Sequence, residues 1–92
     1  MLIDEIKKRL RIANNAFDGE IQDLMDAARA DIVRGGVLRV KADDDSDPLV
    51  RQLITWYCKA YFGFDNPDAD RNKICYESLK MDLLLTAGYT QP

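Results

Sequence analysis

Between Asp47-Pro48 and Gly63 the sequence reads LVRQLITWYCKAYF, and only Arg51, Gln52, Thr55 and Lys59 are polar. At about 100° per residue these four fall within roughly a 100° arc, leaving an apolar surface of about 200° centred near Tyr57. A helix covered so widely has to be the central one of its domain. Asp47 followed by Pro48 supplies an N-cap and a proline at the first helical position, and Gly63 supplies the stop. The segment 48–62 is therefore expected to be a central helix.

Asp65-Asn66-Pro67 repeats the cap-and-proline signal a few residues later, so a further helix should follow from about residue 67 to 87 and end at Gly88. The two would form an antiparallel helical hairpin over 48–87. Upstream, Leu2, Ile3, Ile6, Leu10 and Ala13 make one helical stripe over about 2–12 before Asn14-Asn15 breaks it. Asp18 is the expected N-cap of a second helix over about 19–34. Its stripe is Ile21, Leu24, Met25, Ala28 and Ile32, and Gly35-Gly36 ends it. Val37 to Lys41 looks extended and runs into the acidic stretch Asp43-Asp44-Asp45, so 37–46 is expected to be a variable loop or an isolated arm. These signals define an all-α fold, a small bundle of about four helices forming one domain over 1–92.

The last helix carries two stripes. Ala69, Cys75, Tyr76, Leu79, Leu83 and Ala87 form the main one, and Ile74, Met81 and Leu85 lie nearly opposite. A four-helix domain cannot easily cover both. The second stripe is either shielded by the 37–46 arm or belongs to a subunit interface, and contiguous exposed apolar surface favours the interface. Trp56, at the edge of the central helix's polar arc, could join that interface or the core.

The chain has 92 residues and no histidine, which removes the commonest general base and the usual nucleophile pairs. Cys58 and Cys75 are too few for a disulfide framework or a thiolate zinc site, and they read as small buried hydrophobes. Asp43, Asp45 and Asp47 alternate like the start of a calcium loop, but Pro48 and Ile54 occupy the glycine and glutamate positions. No catalytic, cofactor or metal residues are expected, and the protein reads as a non-enzyme. The formal charge of −3 disfavours nonspecific nucleic-acid binding by the whole surface. Lys7, Lys8, Arg9 and Arg11 form a local basic cluster, read as a solvated helix face or a contact to DNA phosphate or an acidic partner. Acids in Met1-Leu2-Ile3-Asp4-Glu5 and the lack of a long apolar run argue against a signal peptide or membrane span, so the expected site of synthesis and residence is the cytoplasm.

The run Asp47-Pro48-Leu49-Val50 through Tyr57-Cys58-Lys59-Ala60-Tyr61-Phe62-Gly63-Phe64-Asp65-Asn66-Pro67 resembles the signature of the phage head–tail connector, or adaptor, family. Tyr76-Glu77-Ser78-Leu79-Lys80, the ending Leu83 to Tyr89 and the opening Leu2 to Ile12 extend the likeness over almost the whole chain. The least familiar part is 33–46. The resemblance implies an α-helical protomer of the virion neck in long-tailed bacteriophages. Such protomers assemble in the host cytoplasm into a twelve-fold ring beneath the portal, to which stopper and tail-completion proteins attach. DNA would pass through the lumen without sequence-specific binding. On that reading Trp56, Ile74, Met81 and Leu85 are subunit-interface candidates. Val37, Leu38, Arg39, Val40 and Tyr89 are candidates for portal or stopper contacts, and Lys7, Lys8, Arg9 and Arg11 are the DNA-proximal candidates. The competing reading is a small regulatory or DNA-binding helical protein using the basic cluster.

Overall fold

The computed structural model describes residues 1–63 and 66–92 and is all-helical among them. Its elements are α1 (Leu2–Arg9), α2 (Asp18–Gly35), α3 (Arg39–Ala42), α4 (Pro48–Tyr61), α5 (Ala69–Leu84) and α6 (Ala87–Thr90). The four longer helices are those the periodicity requires, and the two short ones are additions.

α4 is central. Its N-cap Asp47 accepts hydrogen bonds from the backbone N–H of Leu49 (2.9 Å) and Val50 (3.2 Å), which satisfies two donors that the first turn leaves without helical partners. Val50, Ile54 and Cys58 on one side of α4 are fully buried against Leu2 and Ile6 of α1 and Ile21 and Met25 of α2. Leu53, on another side, packs with Ile32, Val37, Tyr76 and Leu83. α2 and α5 thus flank α4, and each runs antiparallel to it: Phe17 before α2 meets Phe62 after α4, and Lys73 near the start of α5 lies over Tyr61. The cap expected at Asp65 lies outside the described residues. Asn66 holds the turn, its side-chain amide donating to the Lys59 carbonyl and its oxygen accepting from the Asp68 backbone, and the helix begins at Ala69.

The segment 37–46 differs from the expected extended arm. Val37 is 2% exposed, and Arg39 to Ala42 form a helical turn whose Ala42 is fully buried. A single turn has no repeat for periodicity to detect, which is why the segment reads as a loop. The acidic stretch is knitted into the fold. Arg29 donates to the Ala42 carbonyl (2.7 Å) and to Asp45 (2.6 Å), and Asp44 accepts from both the hydroxyl (2.5 Å) and backbone N–H (3.0 Å) of Ser46.

Helix ends also shift. α1 stops at Arg9, because Arg11 enters the left-handed region (φ 60°) and Ile12 turns back to the Lys7 carbonyl and the core. Asp18 is the first residue of α2 and leaves the cap position to Phe17. α5 ends at Leu84 and not at Ala87. The Thr86 hydroxyl bonds back to the Asp82 carbonyl (2.8 Å), its own backbone is extended, and α6 follows with Gly88 inside it. α6 then docks on the start of α4: the Tyr89 carbonyl accepts from Leu38 N–H (2.8 Å), and the Tyr89 hydroxyl donates to Asp47 (2.9 Å).

Candidate assembly surface

α5 presents its core stripe, with Tyr76 and Leu83 buried, toward α4 and α2. Seven- and four-residue spacing places Ile74, Met81 and Leu85 within about 40° of one another on the opposite side. Among the described residues no element covers them: Ile74 is 70% exposed, Met81 57% and Leu85 80%. From Ile74 to Leu85 the stripe runs about 16 Å along the helix at 1.5 Å per residue. Trp56 is half-buried. Together with Ile74, Cys75 and Leu79 it lines a shallow hollow of about 350 Å³ beside the stripe, edged by Ser78 and Asp82. The structure therefore brings Trp56 next to Ile74, while Met81 and Leu85 continue the same face.

Besides its apolar packing on α4, α5 is tied to α2 by a polar clamp that sequence reading did not single out. Asp31 of α2 accepts from the Tyr76 hydroxyl (2.6 Å), Lys80 Nζ (3.0 Å) and Arg34 (3.1 Å). Burial alone would raise the Asp31 pKa, but the hydrogen bonds from Tyr76 and Lys80 outweigh it and keep the carboxyl below its ordinary value. Lys80 is shifted the other way: burial opposes its charge, yet its bonds to Asp31 and Glu77 hold the ammonium above its usual range. Near the C-terminal ends of α2 and α5, the Leu84 side chain lies against Gly35 and Gly36, and Gly36 (φ +130°) closes α2.

The remaining site candidates are dispersed. Of the basic cluster, Lys7 is buried and turned inward, its ammonium 2.7 Å from Asn15 Oδ1 and 2.8 Å from Asp18 Oδ1. Lys8, Arg9 and Arg11 are exposed. In the 37–40 group, Val37 is core, Leu38 is half-buried and Arg39 pairs with Asp43. Val40 is 72% exposed, and Tyr89 is half-buried at the same end of the molecule. Cys58 is buried, and desolvation pushes its thiol pKa up to about 12 although Arg29 pulls the other way; Cys75 is only half-buried.

A second apolar surface went unnoticed in the sequence. At the opposite end of α4, Phe17, Tyr61 and Phe62 wall a hollow of about 430 Å³ closed by Glu20 and Gly63. Phe17 meets Phe62 edge-on with ring centroids 5.5 Å apart, and Phe17 and Tyr61 remain about half exposed. A lone Phe17 in a polar turn was the available signal, since nothing in its own segment repeats at helical spacing.

Among the described residues no group of three or more carboxylates and thiols converges as a metal site would, and no helix is long and apolar enough to cross a membrane. The fold leaves open an aliphatic stripe on α5 and an aromatic hollow at the end of α4. These traits describe a small helical domain that leaves apolar side chains uncovered on its surface. The model of the phage connector protein family matches residues 2–90, and the chain belongs to that family, a structural family of bacteriophage head–tail connectors. No curated protein and no solved structure matches the chain.

Proposed function

We propose that this protein is a ring-forming head–tail connector of the virion neck, with α5's outer stripe serving as one of the contacts between neighbouring protomers. The observation carrying this reading is the uncovered Ile74–Met81–Leu85 face with Trp56 at its side. Burying a Leu-sized side chain is worth about 1.5–3 kcal/mol, so three such residues left in water favour a partner. A closed ring needs two different surfaces on each subunit, and the stripe would supply one of them. Portal, stopper and tail-completion proteins are the remaining partners. The end of the molecule carrying Arg39, Val40 and Tyr89 is the surface we assign to them. Exposed Lys8, Arg9 and Arg11 are the groups that would meet DNA phosphate if α1 lines the lumen. Assembly in the host cytoplasm, followed by passage of the genome through the ring, completes the reading.

The test is Leu85→Asp. Circular dichroism should show unchanged helix content, while assembly, alone or on the portal, is lost. Unfolding of the variant would instead make Leu85 part of the core, and normal assembly would remove the stripe from the interface.

A further inference from the structure

A ring built through the α5 stripe needs a second, different surface on the same subunit to receive it. Among the described residues the exposed large apolar side chains, apart from the stripe and Met1, fall in two places. Val40 and Leu49 sit by α3 and the start of α4, the end at which α5 also terminates. Phe17 and Tyr61, with Phe62, form the concave surface at the other end of α4. The hollow is built from the start of α2 and the end of α4 and the stripe from α5, so the two surfaces share no residue, and Lys73 of α5 lies over Tyr61 at the hollow's edge. One is concave and aromatic, the other convex and aliphatic.

Glu20 and Arg71 offer one charge pairing for such a contact. Glu20 stands in the wall of the hollow and has no cationic partner among the described residues. Arg71 lies one helical turn before Ile74, on the same outer side of α5, is exposed, and likewise has no carboxylate partner among the described residues. We propose that the Phe17–Tyr61–Phe62 hollow receives the outer face of α5 from a second copy of this chain, with Ile74 entering the hollow and Arg71 pairing with Glu20. This rests on the ring reading and names the other half of its interface.

The experiment is charge reversal with mixing, read by sedimentation velocity and by assembly on the portal. Both positions are exposed, so Glu20→Arg and Arg71→Glu should keep wild-type helix content. Each variant alone places like charges across every contact and should assemble at least about tenfold more weakly than wild type. An equimolar mixture joins opposite charges at every contact and should recover assembly. Ile74→Lys keeps its hollow but loses the group that enters a neighbour's, so it should fail to assemble alone and, mixed with wild type, should end chains and close no ring of its own. If wild type assembles but the two variants match it, or the mixture fails to recover, this pairing is overturned while the ring reading survives. If wild type remains a monomer both alone and with the portal, the ring reading falls and this pairing with it.

Discussion

Lys7 belongs by sequence to a run of basic residues, yet its ammonium is spent on Asn15 and Asp18 inside the fold. Sequence spacing cannot separate a lysine that ties a loop to a helix from one that faces solvent, because both stand on the same short helix. Cys58 and Cys75 show a similar split. A thiol reagent at neutral pH should label Cys75 readily and Cys58 only after unfolding, because the thiolate is the reactive form and burial suppresses it at Cys58. Equal labelling of both in the folded protein would contradict the packing described. At the Asp31 clamp, Tyr76→Phe should cost about 1–2 kcal/mol by urea denaturation. The clamp also sets a pH dependence. Asp31 is held below its ordinary value of 3.8, so its contribution is fully present above that value and is lost as pH falls through the lower folded-state value. The stability gap between wild type and Asp31→Asn should therefore be constant near neutrality and shrink below about pH 4. A gap unchanged into strong acid would show that the carboxylate charge is not what matters.

At the scale of elements, α4 was the most legible, since Asp47-Pro48 and a wide apolar surface are local signals that tertiary structure has no reason to override. Asp47→Ala should cost about 1–2 kcal/mol, because it removes both cap bonds and the Tyr89 hydroxyl's acceptor. Asp47→Asn should recover part of that loss. The end of α1 is a contrasting case. Ile12 turns back to the core only because Arg11 adopts φ 60°, a conformation that costs a non-glycine residue about 1 kcal/mol. Arg11→Gly should therefore raise the unfolding midpoint, and a lowered midpoint would refute that geometry. The turn at α3 and the break between α5 and α6 were not legible, for a shared reason. Each depends on contacts with residues distant in sequence: Arg29 to the Ala42 carbonyl, and Tyr89 to Leu38 and Asp47. The stripe at Ile74, Met81 and Leu85 was legible as a pattern because it repeats on one helix. The aromatic hollow was not, because its walls come from two segments far apart in the chain.

For the molecule as a whole, the bundle buries a core around α4 and leaves an aliphatic face along α5 and an aromatic hollow at the end of α4. Family membership supplies the bacteriophage head–tail setting, and the open surfaces supply a physical reason for assembly. Native mass spectrometry of the purified chain, alone and with the portal protein, is the most direct measurement of that account. It predicts a discrete ring-sized oligomer, formed either by the chain itself or on the portal. A protein that stays monomeric in both settings and binds duplex DNA tightly and in a salt-sensitive manner would contradict it.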